Sequence, residues 1–266
     1  MKGWLIWAYD VTGDQYLRAA TVLANSIKAT QKHNNAVAVV INQQVQLSQA
    51  QKDLFDHVIA IHTDHPKEIM SLGYELSPFQ ETISVESDCI VCTDVSHWWN
   101  VLGQYDILFP GQVKDIRGQQ IVNSYYRRGF AKHNLANIWS GVFYWQKSRM
   151  ASDVFKSARA LCEQWRVSMP FEWTENAAND EFFAAVMAHE NYQHCIDSTG
   201  FLTFTHNRTH DQAQYLNNRD ITSSDFNIAS DGSVWIGPWR QTGILHYHQK
   251  HWITSKVEEQ IGSWNE

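Results

Sequence analysis

Apolar residues come in short runs, separated by polar stretches that carry apolar positions at helical spacing. "GWLIWAY" (3–9) reads as a buried strand, and the turn-like "DVTGDQ" leads into "QYLRAATVLANSIKAT", where Tyr16, Ala19, Ala20, Leu23 and Ile27 share one helix face. "AVAVVI" (36–41) is a second buried strand, "QLSQAQKDLFD" a helix with Leu47, Ala50 and Leu54 on its apolar side, and "HVIAIH" (57–62) a third strand. This alternation predicts an α/β fold, a parallel sheet with helices on both faces. Ligands of such sheets bind at the carboxyl ends of the strands. The end of the first strand, Tyr9 to Gly13, is therefore a candidate nucleotide contact.

The next apolar alternation, "ETISVESDCIV" (81–91), predicts one strand with Glu86 and Asp88 on the same face. "DVSHWWNVL" reads as a short helix capped by Asp94 or Ser96, and "YDILFPG" as another strand. Residues 111–137 are polar and without period, which predicts a loop of the kind that carries specificity. "IWSGVFYWQKS" returns to strand, while "RMASDVFKSARALCEQWRV" and "ENAANDEFFAAVMAHE" read as helices. The turns "DGS" and "IGP" precede a strand-like "GILHYHQKHWI" at 243–253. No internal repeat or proline-rich linker divides the chain, so one domain is expected over 1–266.

Composition narrows the function. With 266 residues and 44% hydrophobic content the chain can fill a sizeable core. Its formal net charge of -7 argues against a protein that wraps nucleic acid through a basic face, although "YYRRGFAK" is a local basic cluster. No run approaches the roughly 20 apolar residues of a membrane span, and the first residues lack the pattern of a signal peptide. A cytoplasmic protein is expected. Cys89 and Cys92 form a CxxC, but in a strand they point to opposite faces, so they read as buried thiols rather than a zinc or redox pair. The 12 tryptophans are core material first, and some could line a cleft for sugar rings or bases.

Two carboxylates on one face, Glu86 and Asp88, can converge on a hard divalent cation, with Mg2+ or Mn2+ suited to oxygen ligands. Strand-end polarity explains the same pair without a metal. In "HYHQKHW", alternation puts His246, His248, Lys250 and Trp252 on one face. An imidazole there can complete a metal site and Lys250 can neutralise phosphate oxygens. A polar edge strand is the plainer reading. The histidines at 189, 194, 206 and 210 have no spacing that links them as ligands.

Four stretches, in order, resemble the glycogenin-type retaining glycosyltransferases of the GT-A fold, which use nucleotide sugars. They are "YLRAATVLANSIK", "ISVESDCIVCTDVSHWW", "SGVFYWQKS" with "NDEFFAA" downstream, and "HYHQKHW". The resemblance spans residues 4 to about 252 and implies a Rossmann-like mixed, mostly parallel sheet. It divides the chain into a nucleotide-binding half (1–110) and an acceptor and sugar half (111–266). By that resemblance Thr12 and Tyr16 contact the nucleoside, with Tyr9 and Asp10 on the same strand-end loop. Glu86 and Asp88 stand for the D-x-D pair with Ser87 between them, and Ser140 and Gly141 fall on the donor-contacting "SGVF" strand. His246 would be the third metal ligand, with His248 as rival, and Lys250 the diphosphate lysine. Asp180 matches the acid that touches the transferred sugar, and Glu181 stands where Gln is usual.

The activity so implied is a Mn2+- or Mg2+-dependent hexosyl transfer from a nucleotide diphosphate sugar, UDP-linked, with retention. The acceptor is left open among glycan, protein, small molecule and modified DNA, and so is the oligomeric state. Two alternatives accompany it. Glu86 in the first acid position, Trp139 before Ser-Gly and a C-terminal motif two residues short fit a nucleotide-sugar-binding protein without catalysis. "ELSPFQETISVESD" more loosely resembles phage-encoded glycosyltransferases, and "YYRRGFAK" with the aromatic content fits one acting on modified DNA bases, in a host cytoplasm.

Overall fold

The computed structural model of the chain describes residues 1–9, 14–63, 66–121, 130, 132–168, 179–207, 225–247 and 252–265. Its centre is a seven-stranded sheet. The strands are β1 (Lys2–Trp7), β2 (Val37–Asn42), β3 (His57–Ile61), β4 (Glu81–Glu86), β6 (Ile107–Pro110), β7 (Val142–Gln146) and β8 (Ile196–Asp197), with β5 (Cys89–Val91) lying elsewhere. Their spatial order is β3-β2-β1-β4-β7-β6-β8. All run parallel except β7, which is antiparallel to both β4 and β6. The sheet is thus mixed and mostly parallel, with one reversed strand that the pattern of apolar runs does not reveal.

Both faces of the sheet are covered, which is why its strands read as near-continuous apolar runs. Trp4, Ile6, Val39, Ile83, Val85 and Tyr144 pack on one side against Leu17, Ala20, Leu23 and Ile27 of helix α1 (Gln15–Thr30). Their strand neighbours Leu5, Trp7, Val40, Phe143 and Trp145 pack on the other side. There they meet α5 (Arg149–Ser168) and α6 (Asn179–Met187) through Val154, Phe155, Ala158 and Phe183. Short helices α2 (Gln49–Leu54), α3 (Gly73–Leu76) and α4 (Trp98–Leu102) fill the connections. In α2 the Ser48 hydroxyl accepts from Gln51 N and the Gln51 side chain accepts from Ser48 N, a capping box worth about 1 kcal/mol.

A third core lies beyond α1. Ala19 and Val22, on the far side of that helix, pack against Ile90, Leu245, Tyr247 and Trp252. The elements there are two three-stranded sheets and α7 (Ser255–Gly262). One sheet has β13 (Ile244–His246) between β5 and β9 (Thr205–His206). The other is an antiparallel meander of β10 (Phe226–Ile228), β11 (Val234–Ile236) and β12 (Trp239–Arg240). Arg18 of α1 holds α7 through two bonds to the Glu258 carboxylate, 2.8 and 2.9 Å long.

Several expectations need correction. "ETISVESDCIV" is not one strand: β4 ends at Glu86, Ser87 and Asp88 form a turn, and β5 belongs to another sheet. Neither Asp94 nor Ser96 caps α4. His97 occupies that position without a side-chain bond, and Asp94 accepts instead from Ser96 N in a local turn. The C-terminal strand ends at His246 and is the buried centre of its sheet, not a polar edge. Trp252 lies in the third core, and residues 248–251 fall outside the described set. Cys89 and Cys92 do face opposite ways, into the first and third cores, and both are free thiols. Burial pushes the Cys92 thiol up to about 12.

Candidate metal centre

The chain leaves the large sheet at the carboxyl end of β4, beside the end of β1, where Trp7 is in register with Glu86. Glu86 N donates to Gly141 O at 2.9 Å, the last main-chain bond before the turn. Ser87 is buried in that turn. Asp88 is then fixed from the other sheet, its carbonyl accepting from Tyr247 N at 3.0 Å, one residue beyond His246. Since His246 is paired with Cys89 across β5 and β13, the second sheet brings its imidazole up to the turn.

The three side chains meet. His246 Nε2 lies 3.2 Å from Glu86 Oε2 and 3.3 Å from Asp88 Oδ1, and the ligand atoms of all three fall within 4.8 Å of one another. Two ligands held about 2.1 Å from an octahedral cation in cis positions are about 3 Å apart, so these separations suit a small divalent ion. One imidazole nitrogen with two carboxylate oxygens is a donor set for Mn2+ or Mg2+ rather than for a thiophilic metal. Asp88 and His246 are buried, while Glu86 is about one-third exposed, with 32% of its side chain in contact with solvent.

The imidazole is packed between Gly141 and two rings. A Cβ on Gly141 would stand 3.4 Å from its Nδ1 and 3.1 Å from the Phe204 ring, so Gly141 leaves the room that the ring occupies. Phe204 and His206 approach it with centroids at 5.9 and 4.9 Å, the latter edge-on. Below the turn, Ser26 of α1 donates to Leu23 O and accepts from Val91 N, tying β5 to the helix. Burial, then the nearby Asp88 and Cys89, raise the Tyr247 hydroxyl well above its usual value and keep it neutral.

Of the residues singled out in the sequence, Glu86, Ser87, Asp88, Ser140, Gly141 and His246 gather here. Tyr9 is buried on the opposite side of the sheet, and its hydroxyl both donates to Thr63 O and accepts from Thr63 N. Tyr16 packs against the first core. Asp180 and Glu181 lie in the first turn of α6. Asp10, Thr12, His248 and Lys250 fall outside the described residues. His206 had no ligand spacing to mark it. The signal was an alternation, Leu202, Phe204, His206, which puts it on the inward side of its segment beside two buried apolar residues.

No protein-family profile matches this sequence, and no curated protein matches it. Solved structures do match by fold. The bifunctional glycosyltransferase WbbM superposes with a TM-score of 0.55 at 14% identity, over 99% of this chain and 49% of its own. The galactosyltransferase LgtC, solved with donor and acceptor sugar analogs, gives 0.54 at 13% identity, over 98% and 95%. GlyE of Streptococcus pneumoniae TIGR4 gives 0.51 at 10%, over 99% and 60%.

The fold is GT-A. The chain spans about half the length of WbbM and nearly all of LgtC. In this GT-A chain the acid-histidine cluster sits at the carboxyl edge of the central sheet, the edge where open α/β sheets bind ligands. Among the described residues no helix is long and apolar enough to cross a membrane.

Proposed function

We propose that this protein is a metal-dependent glycosyltransferase of glycogenin type, moving a hexosyl group from a UDP-sugar to an acceptor with retention of configuration. The observation that carries the reading is the convergence of Glu86, Asp88 and His246 at the carboxyl edge of a GT-A sheet. These three residues, with His248 as a further candidate, would hold Mn2+ or Mg2+. Bound there, such a cation supplies Lewis-acid stabilisation of the charge that builds on the departing diphosphate.

The chain's own residues do the rest. Lys250 adds fixed positive charge at the leaving oxygens. Asp10, Thr12 and Tyr16 grip the nucleoside, with Tyr9 closing the strand-end loop. Ser87, Ser140 and Gly141 contact the donor, and Asp180 with Glu181 orients the sugar at the reacting carbon. Residues 1–110 form the nucleotide half and 111–266 the acceptor half of one domain.

Glu86 is one methylene longer than the Asp of the resembled motif, yet its Oε2 lies 3.2 Å from His246, so the longer side chain still reaches the cluster. Residues 125–129 and 131 of the basic cluster "YYRRGFAK" fall outside the described residues, so the cluster adds no structural argument for a DNA acceptor. A panel of nucleotide sugars scored by nucleotide release, with Mn2+ and with chelator, tests the reading. Release with one donor, dependent on the metal, is the expected result. Absence of both donor binding and release across the panel overturns it.

A further inference from the structure

A concave site lies at the carboxyl end of α1. The carboxyl end of α1, the β10–β11 turn and the end of α7 enclose a cleft of about 520 Å³, within the size range of small-ligand sites. It shares no residue with the metal centre.

Several polar side chains line this cleft. The Thr30 hydroxyl donates to Ser26 O, the Gln260 amide to Ile228 O and the Ser263 hydroxyl to Gln260 O. Those three donors are spent inside the protein, which leaves Ser230, Asp231 and the Trp264 indole as the polar groups that line the cleft. Asp231 is the strongest acceptor. Its Oδ1 takes bonds from Ser233 Oγ and N at 2.6 and 3.0 Å, which orients the carboxylate and keeps it ionised. An oriented carboxylate of this kind accepts from a ligand that brings hydroxyl donors.

One aromatic ring, that of Trp264, also lines the cleft. Trp264 is half-buried, and a Cβ on Gly232 would stand 3.4 Å from its Nε1. Gly232 has φ +77, so a glycine serves both the left-handed turn and the close approach of the indole. A flat apolar ring beside an oriented carboxylate matches the two sides of a pyranose, C–H faces on one and hydroxyls around the edge.

We propose that this cleft is a glycan-binding site that holds a distal part of the acceptor, with Trp264 stacking a sugar ring and Asp231 accepting from its hydroxyls. The description of the glycan as an acceptor rests on the glycosyl-transfer reading; the binding itself does not. Labelling the protein with 5-fluorotryptophan and assigning the Trp264 resonance with Trp264→Phe gives a local readout, and the other indole signals report folding. Cellotetraose, chitotetraose and maltotetraose are titrated without metal or nucleotide, against glucose and N-acetylglucosamine as free-sugar arms.

At least one tetrasaccharide should move the Trp264 resonance with millimolar affinity, its monosaccharide should bind about tenfold more weakly, and Asp231→Asn should weaken binding about tenfold. An unmoved resonance with all three tetrasaccharides at about 20 mM, far above a millimolar dissociation constant, overturns the proposal. So does an equal response in the Asp231→Asn protein. Because Asp88→Asn leaves this cleft untouched, loss of transfer and loss of glycan binding are read separately.

Discussion

Asp88→Asn removes the charge of the more buried carboxylate in the cluster at almost no change of shape. The ligand atoms lie within 4.8 Å of one another, and two like charges at that distance repel by about 3.5 kcal/mol at an effective dielectric constant of about 20. A divalent cation relieves this repulsion. With Mn2+ at about 100 times its dissociation constant, binding stabilises the wild-type fold by about 2.7 kcal/mol, which raises Tm by about 5 °C in a chain of this size.

Losing one ligand should cost at least about a hundredfold in affinity, since even outer partners of metal ligands cost 10–100-fold. The variant at the same Mn2+ concentration then sits near its own dissociation constant and gains only about 0.4 kcal/mol, a Tm shift below about 1 °C. Glu86→Gln should fall between, because 32% of the Glu86 side chain is exposed against 7% for Asp88. Scanning fluorimetry and titration calorimetry with Mn2+ measure both quantities. Without metal, Asp88→Asn should melt at or above the wild type, as the repulsion is gone. If the trio is instead an ion pair centred on protonated His246, Asp88→Asn loses about 3–5 kcal/mol without metal and Mn2+ shifts neither protein. That result refutes the metal centre.

Three further outcomes are expected. Gly141→Ala presses on His246 Nδ1 and Phe204 from 3.4 and 3.1 Å, so calorimetry should show Mn2+ affinity reduced about tenfold while Tm falls by only about 2 °C, a cost of about 1 kcal/mol. Ser26→Ala leaves Val91 N without its buried acceptor and should cost about 1–3 kcal/mol in urea unfolding, because it cuts β5 from α1. Asp56 is pulled two ways: burial opposes its ionisation, but bonds from Lys28 and Val37 N prevail and hold it below the usual carboxylate value. Its contribution is present above the unfolded value of about 4 and is lost as pH falls through the folded one. Asp56→Asn should therefore flatten the acid limb of a Tm against pH profile, modestly, since the group is partly exposed.

The large sheet was legible because its inner strands are buried on both faces and their runs are nearly all apolar, as in "VAVVIN". The direction of β7 was not, since a reversed strand buried on both faces has the same composition as its neighbours. The meander at 226–240 escaped because its strands are two or three residues long and pack on one side only. Helix α7 escaped for a related reason: only Val257 and Ile261 are buried, too few to set a period, although Thr254 caps it by accepting from Val257 N.

The acids of the site were found for a reason that the fold does not use. Alternation along a strand puts positions i and i+2 on one face, but Glu86 and Asp88 flank a turn between two sheets. This difference explains how a glutamate in the first position reaches the histidine. Within a continuous strand both carboxylates would stand on one pleated face, and an added methylene would carry one of them past the other. At a strand end the constraint is weaker. Glu86 has its backbone fixed by Gly141 and about a third of its side chain in solvent, so the longer chain can bend back to 3.2 Å from His246. Asp88, buried and pinned through Tyr247 N, has no such freedom. Substituting Glu86 with Asp should thus be tolerated, with Mn2+ affinity changed less than about tenfold, whereas Asp88→Glu must push into a closed space and cost about 1–3 kcal/mol in stability. Equal effects of the two exchanges would show that the turn does not distinguish the ligands.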